Sequence, residues 1–115
     1  MSTTHNSVLV VATREGSFPD GLIKRGMHMA HEYHWDLIAL HVGSALSNLM
    51  QPHRSRYCTG FVSNCEQDVA PISAAAQAEG IDFTHKVRFG GAEAAIKDVC
   101  SELGNVKCVL VDHEA

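Results

Sequence analysis

Val8-Leu9-Val10-Val11-Ala12 is a continuous apolar run that ends in a polar loop, Thr13-Arg14-Glu15-Gly16-Ser17. A second apolar run, Leu37-Ile38-Ala39-Leu40-His41-Val42, ends in Gly43-Ser44. Apolar runs of this length without alternation are typical of strands that are covered on both faces of a parallel sheet. The two runs therefore predict the central strands of such a sheet.

The segment between these runs predicts the helix that joins them. From Pro19 or Asp20 to His34, apolar residues recur three and four positions apart, at Leu22, Ile23, Gly26, Met27, Ala30 and Tyr33. Gly26 lies on this stripe, and we expect it to let the helix approach the sheet closely. Two buried strands joined by a helix predict a βαβ unit with parallel strands and a right-handed crossover.

The second half of the chain predicts two helices and two further strands. Ser63 and Glu66 form a capping box, after which apolar residues recur at helical spacing up to Gly80. Pro71 is predicted to kink this helix or to restrict it to 71–79. Alternation from Ile81 to Phe89 predicts an edge strand with one wet face. Beyond Gly90-Gly91, a third helix runs to Gly104, and the last strand covers 106–111.

The stretch from Ala45 to Asn64 has the weakest periodicity in the chain. Pro52, Arg54, Arg56 and Gly60 interrupt it. We predict a long loop here, the most mobile part of the molecule and the first to be cut by a protease.

Length and composition indicate one folded domain over residues 1–115. The chain has 115 residues, of which 45% are hydrophobic and 19% charged, a composition typical of a globular protein with one core. The predicted fold class is α/β, a small doubly wound parallel sheet with helices on both faces.

Charge, hydropathy and cysteine spacing exclude several classes of protein. The net charge of -4, with nine basic residues scattered along the chain, argues against a nucleic-acid partner. The apolar runs are too short to span a membrane, and the segment Met1 to Ser7 lacks the features of a secretory signal. Four widely spaced cysteines without a C-x-x-C pair indicate reduced thiols and a cytoplasmic location.

The reactive residue types form no catalytic or metal-binding pattern. His28, His31 and His34 spread over a wide face of the first helix, which predicts a solvated face and no metal site. His85 lies on the apolar register of its strand, where we expect a capped or hydrogen-bonded histidine. No nucleophile elbow or carboxylate pair is present, and Cys58 is the cysteine expected to be exposed and reactive. The sequence predicts no enzyme.

Taken together, the apolar run from Val8, the helix around Leu22 to Ala30 and the run from Leu37 resemble the opening of a universal stress protein. In the second half, the Ala-rich stretch from Ala74 to Asp82, Gly90-Gly91-Ala92-Glu93-Ala94-Ala95-Ile96, and Val109-Leu110-Val111 resemble later parts of the same family. The resemblance covers nearly the whole chain outside 45–64. It implies a sheet of order 3-2-1-4-5, of which the fifth strand is missing here.

The resemblance also implies a ligand cleft at the carboxyl ends of the strands, where some family members bind ATP. The place is also the topological switch point of a doubly wound sheet. The predicted cleft residues are Thr13, Arg14, Gly16, Ser17, Val42, Gly90, Gly91 and Asp112. Two family features are absent, since Thr13 stands where an acidic residue would end the first strand, and 112–115 hold no glycine-rich phosphate loop. We therefore expect ATP or AMP to bind weakly or not at all.

The missing fifth strand also leads to a prediction about assembly. In the order 3-2-1-4 the fourth strand lies at an edge although it is apolar on both faces, and such edges are normally paired or covered. We predict a homodimer through Val106, Cys108, Val109, Leu110 and Val111.

The function that fits these expectations is a non-enzymatic stress-response or regulatory domain that binds at most a nucleotide-like small molecule. One alternative is a pure interaction or dimerisation module that regulates a transporter or a sensor kinase. The other alternative is a nucleotide-binding α/β enzyme. It is the least favoured, because the sequence holds no catalytic pattern.

Overall fold

A computed structural model describes residues 7–14, 17–44 and 53–111 of the chain. These residues form four strands and three helices in strict alternation. The elements are β1 (Val8–Arg14), α1 (Asp20–Tyr33), β2 (Asp36–Gly43), α2 (His53–Ala78), β3 (Phe83–Phe89), α3 (Ala92–Leu103) and β4 (Val106–Val111).

The four strands form one parallel sheet in the order β3-β2-β1-β4, as predicted. The strand that begins at Val8 is central, and it pairs with β2 on one side and β4 on the other. Leu9, Val10 and Val11 have no exposed surface, which explains the unbroken apolar run. β3 and β4 lie at the two edges.

Side chains alternate between two apolar layers, one on each face of the sheet. On one face, Leu9, Val11, Leu37 and Ala39 pack with residues of α1 and α2. On the other face, the neighbouring strand residues pack against Ala95 and Val99 of α3, among others. The α/β fold with helices on both faces is therefore confirmed.

The helix α2 corrects the prediction for the middle of the chain. Residues 53–64 are helical, so the predicted loop is wrong there, whereas 45–52 lie outside the described residues. The helix also continues through Pro71, which is exposed. Because proline has no backbone N–H, one carbonyl of the preceding turn lacks its helix partner and can bond to water instead. From Phe61 to Ala76, a buried stripe that includes Cys65 and Val69 holds the helix on the sheet.

Residues with a left-handed backbone conformation end α1 and α3, and a glycine allows α1 to pack closely on the sheet. α1 ends at His34, whose φ of 58° places it in the left-handed region, and α3 ends at Gly104 with φ of 82°. Gly26 is buried where α1 crosses β1, and a Cβ atom there would lie 2.7 Å from Cγ2 of Val11. The close approach predicted for Gly26 is thus explained by direct contact with the central strand.

Replacing Gly26 by alanine should lower the free energy of unfolding by about 1–2 kcal/mol. The added methyl group overlaps a stiff, fully buried valine, and overpacking of this kind costs more than alanine gains in helix propensity. Gly60 of α2 is the matched control, because a Cβ atom there meets nothing within 4 Å. Gly60→Ala should raise stability by up to about 1 kcal/mol. Urea unfolding of both variants measures the difference, and equal effects would refute the close-contact explanation.

No helix among the described residues is long and apolar enough to cross a membrane.

Candidate functional site

The carboxyl ends of β1 and β2 and the turn after β3 enclose a small cleft. It has a volume of about 140 Å³. Its lining brings together three of the predicted residues, Arg14, Val42 and Gly90, with Gly43 and Ser44. The position is the one expected for a ligand in a doubly wound sheet.

The other predicted cleft residues lie apart from this lining. Thr13 is buried, and its hydroxyl oxygen lies 3.1 Å from the carbonyl oxygen of Arg14 and 3.4 Å from that of Ser17. Gly91 is the exposed residue that precedes the first turn of α3. Gly16 and Asp112 lie outside the described residues. Thr13 and Ser17 are therefore close to each other, whereas Arg14 lines the cleft.

Aromatic side chains and internal hydrogen bonds occupy one side of the cleft. The Tyr57 hydroxyl accepts a hydrogen bond of 2.7 Å from the amide of Ser44, and the Gly90 amide donates to the carbonyl of Gly43 at 2.9 Å. The ring of Tyr57 also packs with Phe61 and Phe89. These two backbone amides are therefore already bonded within the protein.

Arg88, two residues before Gly90, is directed toward α3. Its guanidinium donates to both carboxylate oxygens of Glu102, at 3.0 and 3.1 Å. The ammonium group of Lys86 lies 3.7 Å from the same carboxylate. The hydrogen bond from Arg88 lowers the pKa of Glu102. Arg88 is thus paired with a carboxylate and does not line the cleft.

A hydrogen-bonded chain of His85, His41 and Asp68 lies beneath α2, and we call it the buried relay. His41 Nδ1 lies 2.8 Å from His85 Nε2, and His41 Nε2 lies 3.0 Å from Asp68 Oδ2. His41 has no exposed surface. The same Asp68 oxygen accepts the backbone amide of Phe18 at 3.0 Å. The relay therefore connects β3, β2 and α2 with the segment before α1.

The chemistry of the three groups fixes the direction of these hydrogen bonds. A carboxylate only accepts, so His41 carries its proton on Nε2, and its Nδ1 accepts from His85 Nε2–H. Burial lowers the pKa of His41 despite the opposing effect of Asp68. Burial and the neighbouring His41 lower the pKa of His85. Both shifts favour the neutral form of the two histidines.

The relay is a linear chain and is not arranged to chelate a metal ion. His85 and Asp68 bind opposite nitrogens of the His41 ring, so the three groups do not converge on one point. Over 7–14, 17–44 and 53–111, no three His, Cys, Asp or Glu side chains are placed to hold an ion together. On α1, His28, His31 and His34 are all exposed, which confirms the predicted solvated face.

His85 is hydrogen-bonded, as predicted from its register, but the sequence did not point to its partners. His41 follows four apolar residues of β2 and lies in the same alternating register as Leu37 and Ala39, on the face that α2 covers. Asp68 lies three residues after Cys65 and one before Val69, beside the buried stripe of α2. His41 and Asp68 are polar residues within or beside apolar stripes of two elements that face each other. Buried polar groups need hydrogen-bond partners, and this pattern is the sequence signal that could have indicated their contact.

Comparison with known proteins identifies the fold. No protein-family model matches the sequence, and no curated protein matches it either. Among solved structures, a protein from the universal stress protein family of Burkholderia pseudomallei is similar, with a TM-score of 0.71 and 12% identity, over 96% of this chain and 98% of that chain. The universal stress protein UspA from Lactobacillus plantarum is similar with a TM-score of 0.57 and 12% identity, over 95% and 78% of the two chains.

These similarities confirm the predicted resemblance at the level of the fold. The class is an α/β domain with a doubly wound parallel sheet. Within that class, the chain has the universal stress protein fold.

Proposed function

We propose that this chain is a non-enzymatic stress-response or regulatory domain of the universal stress protein type, which acts in the cytoplasm as a homodimer. The observation that carries the proposal is the position of β4. Within the described residues, β4 pairs with β1 on one side and with no strand on the other. An unpaired apolar edge of this kind suits a domain that works by assembly.

The side chains of β4 support self-association. Cys108 and Leu110 pack partly against the apolar layer on the α1 face, and Val106 and Val109 partly against the layer on the α3 face. All four remain half-buried. A two-fold axis at this edge would pair β4 with its copy in antiparallel register and extend both apolar layers.

Nucleotide binding at the cleft is a minor part of this function or no part of it. Ligand sites usually enclose about 300–1,000 Å³, whereas this cleft has about 140 Å³. The amides of Ser44 and Gly90 are engaged within the protein, which leaves the exposed Arg14 as the cation among the described lining residues. A single cation gives little affinity for a triphosphate, because polyphosphate sites combine several convergent donors.

Calorimetric titration with Mg-ATP, and separately with AMP, tests this part of the proposal. We expect no binding in the micromolar range. A thermal-shift screen against nucleotides checks the result, since a ligand at a hundred times its Kd would stabilise the protein by about 2.7 kcal/mol. Micromolar affinity that is lost in Arg14→Gln would contradict the proposal and assign the cleft to a nucleotide.

The same edge favours a second candidate, an interaction module that regulates a transporter or sensor kinase. In that case β4 pairs with a strand or surface of the other protein and not with its own copy. The purified chain would then be monomeric, which distinguishes the two candidates.

A further inference from the structure

One nitrogen of His85 lies at the open end of the buried relay. His85 bonds to His41 through Nε2. Its Nδ1 forms no hydrogen bond with the described residues, and among those residues no buried side-chain nitrogen or oxygen lacks a hydrogen-bond partner. The Nδ1 atom is therefore in contact with solvent, on a strand that lies at the edge of the sheet.

The relay determines which nitrogen of His85 carries the proton. Because the carboxylate of Asp68 only accepts, His41 donates through Nε2–H and accepts through Nδ1, and His85 donates to it through Nε2–H. A neutral imidazole has one N–H, so Nδ1 of His85 keeps a free electron pair. Burial and the neighbouring His41 lower the pKa of His85, which favours this form. The nitrogen that reaches solvent is thus a nucleophile.

The three groups have the arrangement of an activated nucleophile, its base and the group that orients the base. Such groups lie within about 2.6–3.2 Å of each other in sequence, and here the two hydrogen bonds measure 2.8 and 3.0 Å. When Nδ1 of His85 bonds to an electrophile, its ring gains positive charge. Transfer of the Nε2 proton to His41 removes that charge, and the Asp68 carboxylate stabilises the resulting His41 imidazolium.

The surroundings of His85 indicate which electrophile the site would accept. Phe83 and Val87 flank His85 on the same side of β3, and both are half-buried. Lys86 and Arg88 lie on the opposite side and are paired with Glu102. Transfer of a phosphoryl group relies on cations around its oxygens, whereas a neutral acyl group suits apolar neighbours. The flanking residues therefore favour an acyl group.

We propose that Nδ1 of His85 is a site of covalent modification, which accepts an acyl group from an activated acyl donor such as a thioester or an acyl phosphate. The Nδ1 electron pair forms the bond to the acyl carbon. The bond from that carbon to the leaving sulfur or oxygen breaks, and its electron pair stays with the leaving group. The Nε2 proton of His85 moves to His41 Nδ1, so the hydrogen bond between the two rings reverses and is kept. The site adds to the proposed regulatory function and does not depend on how the chain assembles.

Modification by diethyl pyrocarbonate tests the proposal, because this activated acyl donor transfers an ethoxycarbonyl group to imidazole nitrogen. Peptide mass spectrometry follows each histidine of the full chain at limiting reagent. We expect His85 to react at least about threefold faster than the exposed His31 of α1, since proton transfer to a positioned base contributes about 10²–10⁴-fold. NMR of the modified protein should place the group on Nδ1. A slower reaction than that of His31, or attachment at Nε2, would overturn the proposal.

Asp68→Asn tests the part of the relay that lies behind His41. The variant keeps an oxygen acceptor for His41 Nε2–H but removes the charge that stabilises the His41 imidazolium. It should slow modification of His85 by about tenfold or more, while His31 in the same sample keeps its rate. Circular dichroism checks that the fold is retained. An unchanged rate at His85 in the folded variant would show that the relay does not activate it, whatever the chain binds or pairs with.

Discussion

Replacing Asp68 by alanine should lower the free energy of unfolding by about 2–6 kcal/mol. The substitution removes the acceptor of two donors, Nε2–H of the fully buried His41 and the amide of Phe18. Each buried donor left without a partner costs about 1–3 kcal/mol. The expected loss is a large fraction of the stability of a typical domain, which is about 5–15 kcal/mol. Urea unfolding at pH 7.5 measures it.

Two further variants separate the effect of the hydrogen bonds from that of the carboxylate charge and from the general effect of removing an aspartate side chain. Asp68→Asn keeps an oxygen acceptor in place, because both donors bind the same Oδ2 atom. It should therefore lose less than half as much stability. Asp98→Ala, at an exposed aspartate of α3, should stay within about 0.5 kcal/mol of the wild type. Equal stability of wild type and Asp68→Ala would mean that the relay does not stabilise the fold.

Replacing Val109 by lysine should convert the proposed dimer into a monomer or cause aggregation. Val109 is half-buried near the middle of β4, where the two copies would meet. An ammonium group in an apolar contact is costly to bury, and two-fold symmetry places two such groups in one interface. Sedimentation equilibrium over a wide concentration range should show a loss of association of at least about a hundredfold in Kd, since 1.4 kcal/mol changes Kd tenfold.

Ser101→Lys adds the same charge at an exposed position of α3 and is the control. It should leave the dimer intact. Circular dichroism of both variants checks that the fold is retained. A wild-type chain that sediments as a monomer at high concentration would refute the homodimer and favour the interaction module.

The parts of the fold that could be predicted are those with strong local patterns. The runs beginning at Val8 and Leu37 mark buried parallel strands, because a strand covered on both faces has no polar side. Gly91 and Gly104 bound α3 as expected. The first part of α2 was missed because its periodicity is weak and because Pro52, Arg54, Arg56 and Gly60 were interpreted as interruptions. Contacts between the buried stripe and the sheet outweigh the cost of a residue such as Gly60 within the helix.

The candidate site was less predictable, for a physical reason. Cleft residues such as Arg14 and Val42 follow from topology, because all strands are parallel and their carboxyl ends meet at one edge. The buried relay depends on which residue of α2 lies opposite His41, 27 positions earlier in the chain. That alignment is set by the packing of α2, which local periodicity does not determine.

The burial of Cys65 has a consequence for thiol chemistry. Burial, with the carboxylates of Asp68 and Glu66, raises the pKa of Cys65 to about 11. At pH 7 about one molecule in ten thousand then carries the thiolate, which is the form that reacts with disulfides and alkylating agents. Cys65 has no exposed surface, so these reagents cannot reach it while α2 lies on the sheet. Alkylation of Cys65 is irreversible, so the alkylated fraction counts the molecules in which α2 has left the sheet.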